Sequence, residues 1–222
     1  MIVAVTGMVR EARIVKGERV VSLVGGGDAR GLKKQLDTVL PEKGVSGVIS
    51  IGIAGGLSPD LRPGNVVIGS EVVTGSERYE TDPDWLQRLW RAIPRSKPGP
   101  VAGSDTVITQ RPAKTDLYER TGAVTVDMES HIAARAAHQY KKPFAVLRVV
   151  CDPSDRTLPP AALVAMKPDG SVDAQAILRS VMAHPQQIPS LFYLARDSAA
   201  AFRSLLRCRD FLGDGLAGPD LG

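Results

Sequence analysis

Apolar residues along this chain fall into two alternating patterns. β-branched runs closed by glycine recur at residues 2–6 (ahead of Gly7), 20–24 (ahead of Gly25-Gly26-Gly27) and 47–53 (ahead of a turn at Ala54-Gly55-Gly56), and each reads as a strand. Between the second and third, Asp28 stands where a helix cap belongs, and Leu32, Leu36, Val39 and Leu40 follow at helical spacing. Val66-Val67-Ile68 opens a fourth strand running toward Val73. Trp85, Leu89 and Ile93 mark a helix with Pro83 near its start and Pro94 past its end. Residues 94–100, rich in Pro, Lys and Gly, read as a loop too short to link domains. A strand at 124–126, a helix at 130–140 and a strand at 144–150 form one strand-helix-strand unit, and two helical stretches follow at 174–183 and 190–206.

Alternation of this kind, with some strands apolar on both faces, predicts an α/β fold: three layers, a mainly parallel twisted sheet with helices on both faces. No repeat or linker divides the chain, so residues 1–222 read as a single domain with a C-terminal amphipathic helical extension at about 186–212. In that extension Ile188, Leu191, Phe192, Ala195, Ala199, Phe202, Leu205 and Leu206 recur every three or four positions, with Arg196, Arg203 and Arg207 off the stripe. Such a helix packs its stripe on the domain or turns it toward a lipid surface.

Composition narrows the function classes. A net charge of +4 with no Lys/Arg block and no zinc-finger spacing argues against a nucleic-acid partner. No run approaches the ~20 apolar residues of a membrane span. The N-terminus lacks the pattern of a secretory signal, and the two distant cysteines, Cys151 and Cys208, give no reason to invoke an oxidising compartment, so the expected location is the cytoplasm. His131, His138 and His184 form no metal-spaced set, and no metal is expected.

Ligands of open α/β sheets sit beyond the carboxyl ends of the strands, which selects residues 7–13, 25–28, 54–57, 103–108, 127–130 and 151–155. Gly25-Gly26-Gly27 lets backbone N–H groups approach an anion, or is simply a tight turn needing positive φ. Gly52-Ile53-Ala54-Gly55-Gly56-Leu57 clears side chains from a path beside the sheet, for a planar ligand or for close packing. Val126-Asp127-Met128-Glu129-Ser130 sets an apolar side chain between two acids, as a sugar face needs, or caps a helix with Asp127. Asp152 ends the apolar strand Leu147-Arg148-Val149-Val150-Cys151, where desolvation favours a protonated carboxyl; alternatively it caps a turn with Pro153. Arg148 reads as the counter-charge of a buried acid.

Three of these stretches resemble motifs of one family, in its order and spacing: Ile53-Ala54-Gly55-Gly56-Leu57 followed by Leu61-Arg62-Pro63-Gly64-Asn65-Val66-Val67; Val126-Asp127-Met128-Glu129-Ser130; and Arg148-Val149-Val150-Cys151-Asp152. The family is the purine nucleoside phosphorylase superfamily, and the resemblance, over residues 2–183, is closest to its methylthioadenosine/S-adenosylhomocysteine nucleosidase branch. Thr6-Gly7 followed by Glu11-Ala12-Arg13, the continuation of Ser130 into His131, and Leu158-Pro159-Pro160-Ala161-Ala162-Leu163 are most similar to hopanoid-associated phosphorylases, also called adenosylhopane nucleosidases.

The resemblance implies cleavage of the N-glycosidic bond of an adenine nucleoside, most closely adenosylhopane, in hopanoid biosynthesis. It makes Asp152 the acid that protonates adenine at N7 and Glu11 the acid that steers the attacking water, although Glu11 lies one residue nearer Gly7 than in the nucleosidases. Glu129 then holds the ribose hydroxyls, Met128 faces the sugar, Val107 and Ile108 belong to the base-binding segment, and Ala54 and Gly55 border the substrate. Gly26 and Gly27 form an anion loop for phosphate as a candidate co-substrate. Val107 stands where the nucleosidases carry phenylalanine, and Ile53 and Cys151 where they carry serine, which implies a changed substrate or nucleophile. The resemblance implies no cofactor, a homo-oligomer (a dimer is favoured) and peripheral contact with the membrane that holds the lipid tail. Two alternatives stay open: a general purine nucleosidase or phosphorylase of the methylthioadenosine, S-adenosylhomocysteine or futalosine type, and a non-catalytic nucleoside-binding protein.

Overall fold

The computed structural model describes residues 1–165, 167 and 169–219. Eight strands form one mixed sheet: β1 (Ile2–Thr6), β2 (Val20–Val24), β3 (Gly47–Gly56), β4 (Val66–Thr74), β5 (Glu77–Glu80), β6 (Lys97–Gly103), β7 (Thr125–Asp127) and β8 (Phe144–Asp152). The pairings β1–β2, β1–β3, β3–β8, β4–β6 and β6–β7 are parallel, whereas β3–β7, β4–β5 and β4–β8 are antiparallel. The expected mainly parallel α/β sheet is therefore present, with one addition. β3 pairs with β1 over Gly47–Ser50 but with β7 at Gly55 and Gly56. The strands β3, β8, β4, β6 and β7 thus close into a ring, and β1 and β2 extend from the first half of β3 as an open wing.

The two apolar faces of β1 explain the three layers. Val3 and Val5 pack with Leu32 and Leu36 of α2 (Ala29–Val39) and with Ile132 and Ala133 of α5 (Ser130–Gln139). Ile2 and Ala4 pack on the other side with Val15 of α1 (Val9–Val15), Trp85 and Leu89 of α3 (Pro83–Ala92), and Leu205 and Cys208 of α8 (Ile188–Leu212). The remaining helices are α4 (Arg111–Thr121), α6 (Pro160–Leu163) and α7 (Ala174–Ala183). Among the described residues no helix is long and apolar enough to cross a membrane.

Several local expectations need correction. Ala54-Gly55-Gly56 is not a turn but the end of β3, kept in the ladder by β8 and β7. Residues 97–100 are not loop but the start of β6; Pro98 and Pro100 are tolerated because β7 joins only from Val101 onward, so no ladder donor is missed on that side. In α8 the predicted stripe is rotated. Phe202 and Leu205 are buried as expected, but Ile188, Phe192 and Leu206 are exposed, and the inward face is completed by Asp197, Ala201, Ser204, Cys208 and Leu212.

Candidate active site

Four strand ends converge on one cavity of about 220 Å³. β1 delivers Gly7, Met8 and Glu11 through the start of α1; β3 delivers Ile53, Ala54 and Gly55; β7 delivers Asp127, Met128 and Glu129; β8 delivers Cys151 and Asp152. Val107 and Ile108 come from the segment after β6, and Leu158, Ala162 and Leu194 close the side toward α6 and α8. The candidates Asp152, Glu11, Glu129, Met128, Val107, Ile108, Ala54 and Gly55 are all brought together.

Gly26 and Gly27 are not among the lining residues. The Gly26 N–H donates to Gly7 O at 3.0 Å, and both glycines adopt positive φ (57° and 78°), so the structure gives them the tight-turn role. Arg10, Arg13, Arg30 and Arg78, which could each supply a cation to an anion site, also lie outside the lining. Arg10 instead stacks over the Phe202 ring at 3.9 Å, and Arg78 pairs with Glu71 at 2.8 Å.

Glu11 sits at the third position of α1 and is held by backbone alone. Its Oε2 accepts from the N–H of Gly7 and of Met8, each at 2.8 Å, and its Oε1 accepts from Ile53 N–H at 2.7 Å. That carboxylate ties β1 to β3 and keeps one lone pair on Oε1 for a further donor. Glycine at position 52 is required by the approach: a Cβ there would meet Glu11 Oε1 at 2.5 Å and Arg148 Nη1 at 3.0 Å.

Asp127 caps α5. Its Oδ1 accepts from the N–H of Glu129 (2.8 Å) and Ser130 (2.6 Å), and its Oδ2 accepts from Ser130 Oγ (2.6 Å). Oδ2 also lies 2.8 Å from Nε of Arg148, an ion pair whose N–H direction falls short of a hydrogen bond. The fully buried Arg148 donates through Nη2 to Ser50 Oγ and to Ser130 Oγ, while its Nη1 has no hydrogen-bond partner. Capping thus falls to Asp127, leaving Glu129 free for another task, and Arg148 does serve as the counter-charge of a buried acid.

The single guanidinium faces three acids. Burial pushes Glu129 up to about 8, with Arg148 opposing and Asp127 and Glu11 adding to the rise. Burial also raises Glu11, opposed by the Ile53 N–H, Arg148 and the N–H groups of Met8 and Gly7. Burial thus favours the protonated form of Glu129, which can both donate and accept.

Asp152 stands apart from this cluster. A register shift between Ala54 and Gly55 in the β3–β8 ladder sets Asp152 opposite Gly55 and points the strand end at the cavity. Burial raises its pKa, and Lys114 opposes the rise. Lys114, on α4, is fully buried and lies 2.5 Å from Asp152 Oδ2. Neither α4 nor Lys114 was anticipated: the stretch is polar and weakly amphipathic, and nothing around Lys114 marks it as inward-facing. Cys151, beside Asp152, contacts Ser198 Oγ at 3.1 Å, and burial pushes its thiol up to about 12, which leaves it an inert lining group.

The histidines take structural places. His131 is buried, with Nε2 3.0 Å from Asp105 Oδ1, and His138 packs edge-on against Tyr79 at 5.7 Å between centroids. Among the described residues no group of three or more His, Cys, Asp or Glu could hold a metal ion.

A family model described as Phosphorylase superfamily matches residues 5–183. A 5'-methylthioadenosine/S-adenosylhomocysteine nucleosidase of Thermotoga maritima is 27% identical over 123 residues, 49% of this chain and 54% of that protein. The match thus spans about half the length of that relative. The fold is similar to that of a 5'-methylthioadenosine/S-adenosylhomocysteine nucleosidase of Neisseria meningitidis in complex with methylthio-immucillin-A, with a TM-score of 0.65, 17% identity, and 94% and 96% of the two chains covered. It is also similar to a futalosine hydrolase mutant of Helicobacter pylori, with a TM-score of 0.64, 14% identity, and 93% and 97% covered.

Proposed function

The chain belongs to the phosphorylase superfamily, and we propose that it is an enzyme breaking the N-glycosidic bond of an adenine nucleoside. The observation that carries this reading is the meeting of Glu11, Glu129 and Asp152, from three separate strand ends, around one cavity whose remaining walls are largely apolar. Cleavage of a ribosyl–adenine bond develops positive charge on the sugar and negative charge on the departing base. Asp152, in a position where burial favours its protonated form, donates to N7 of the base, an effect worth ~10²–10⁴-fold. Glu129 holds the ribose hydroxyls, Met128 lies against the sugar face, and Val107 and Ile108 border the base. Glu11 orients the nucleophile through its remaining lone pair.

Water is favoured over phosphate as that nucleophile, because no lysine or arginine is among the described residues lining the cavity. The relatives act, by their names, on methylthioadenosine, S-adenosylhomocysteine or futalosine. For this chain the proposed substrate is an adenosine bearing an apolar 5′ substituent, of which adenosylhopane is the candidate. Leu158, Ala162 and Leu194 give the cavity an apolar side, and the helices α7 and α8 expose Leu178 (59%), Met182 (75%) and Phe192 (70%). No residue of α7 is buried. The helices α7 and α8 carry Arg179, Arg196, Arg203, Arg207 and Arg209 against Asp197, which is buried and paired with Arg156, and Asp210; Arg209 is itself paired with Asp214. An apolar face of that charge suits an anionic lipid surface from which a lipid-tailed nucleoside is drawn.

The test is adenine release, followed by absorbance, from adenosine, methylthioadenosine and a 5′-alkylated adenosine, in phosphate-free and in phosphate buffer. Release without phosphate, fastest from the 5′-alkylated substrate, is the expected result. Release only with phosphate would make the enzyme a phosphorylase, and no release from any of the three would overturn the reading.

A further inference from the structure

The contacts of Lys114 reach beyond a structural ion pair. Its three N–H groups are all engaged, with Asp152 Oδ2 at 2.5 Å and the carbonyls of Pro153 and Arg156 at 3.0 Å each. The side chain is fully buried although it starts from a different element, α4, whose only buried residue it is. A lysine held with every donor satisfied, against a carboxylate that lines the cavity, fixes three things at once: the charge beside Asp152, the oxygen left free, and the course of the 153–156 turn.

From this geometry we infer that Lys114 is a positioning residue for the leaving-group proton: by donating to Oδ2 it biases that proton toward Oδ1 of Asp152, and its charge stabilises the carboxylate left after transfer. The inference rests on the proposed glycosidic cleavage. In that step the C1′–N9 bond breaks with its electron pair going to the base, and the Oδ1 proton passes to N7, so that neutral adenine leaves. Water adds its oxygen to C1′ and gives its proton to Glu11. The Asp152 carboxylate then faces an ammonium instead of an apolar wall, which lowers the barrier for giving the proton up.

The other charged and titratable groups around Asp152 do not supply this. On α8, Asp197 adds a like charge and is itself taken by Arg156 of the following turn. On β8, the neighbouring Cys151 stays a neutral thiol. Glu11 and Glu129 line the same cavity and Asp155 the adjoining one; all three are acids and supply no positive charge to Asp152.

Removing the lysine's charge should therefore shift the pH at which activity is lost. Activity needs protonated Asp152, so it falls as pH rises through the Asp152 pKa. Lys114 holds that pKa down, and a neutral residue lets it rise. Two neutral variants, Lys114→Gln (which keeps hydrogen bonding) and Lys114→Met (which keeps length), are compared with Lys114→Arg, which keeps the charge. For whichever neutral variant folds, judged by circular dichroism, kcat for adenine release is expected to fall ~10-fold or more with KM little changed. Its alkaline limb is expected to move up by about one to three pH units, the span an opposite charge imposes on an acid. Lys114→Arg should keep the limb at the wild-type position. A neutral variant whose limb does not move, or whose loss lies in KM alone, overturns the inference and leaves Lys114 a structural tie. Wild-type release of adenine is measured alongside; its absence would sink the proposed cleavage itself, a different failure from an unmoved limb.

Discussion

At the strand tips Glu11, Asp127, Glu129, Asp152, Arg148 and Lys114 are buried; on the α6–α8 face Leu163, Leu178, Met182, Ile188 and Phe192 are exposed. Both regions reverse the usual sorting of side chains, and they do so for different reasons. The buried charges are held by an exacting set of bonds: three backbone N–H groups on Glu11, a helix cap on Asp127, three oxygens on Lys114. Glu129 is the exception, with its pKa raised by burial and by the neighbouring acids. The exposed apolar face has no such bonds to lose. Substitutions at the tips should therefore disturb stability and chemistry together, whereas substitutions on the face should disturb neither until a partner surface is present.

The sharpest way to break that contrast is Arg148→Met. Removing the one cation among three acids leaves buried carboxylates uncompensated, and a loss of about 3–5 kcal/mol in urea unfolding is expected. A loss below about 1 kcal/mol would mean that the acids simply take up protons and that the guanidinium organises little.

Glu129→Gln sharpens the contrast through pH. Below 4.5, the ordinary carboxyl value, folded and unfolded chains both keep this proton and Glu129 has no effect on the pH dependence. Between 4.5 and about 8 the unfolded chain releases it and the folded chain does not, so stability falls as pH rises, by up to about 1.4 kcal/mol per unit. The Gln variant lacks this slope, so thermal melts should show it more stable than wild type at pH 9 and close to it at pH 4. In the same variant, discrimination between ribose and 2′-deoxyribose substrates should weaken. A variant as pH-dependent as wild type would remove the buried-acid account of Glu129.

The smallest effect is expected on the exposed face. Phe192→Ser combined with Met182→Ser should change unfolding free energy by less than about 0.5 kcal/mol, since neither side chain is buried. Sedimentation with phosphatidylglycerol vesicles should nonetheless drop several-fold relative to wild type, with little binding of either protein to phosphatidylcholine. Equal sedimentation of both proteins would leave the face without a lipid role.

The same contrast governs how much was legible in the sequence. β1 and β2 were bounded correctly because a β-branched run closed by glycine has one local solution, and α2 because Asp28 announces its start; the Asp28 side chain accepts from Gly31 N–H at 2.9 Å. Glu11, Glu129 and Asp152 were legible from their places after strands and from family motifs. Lys114 and α4 were not, since a polar helix gives no periodic signal and the partner of Lys114 lies thirty-eight residues away. β6 was hidden by its prolines. α8 carries two apolar stripes, and which one faces inward depends on the sheet it meets: Leu205 and Cys208 pack beside Trp85, while Phe192 and Leu206 face outward.

The most direct test of the account compares wild type with Asp152→Asn in adenine release from a 5′-alkylated adenosine near neutral pH. The wild-type enzyme should release adenine without phosphate, and the Asn variant should bind the substrate with similar affinity yet turn it over about 10²-fold more slowly or worse. An Asn variant as active as wild type would contradict the assignment of Asp152 as the acid, and with it the central claim about this site.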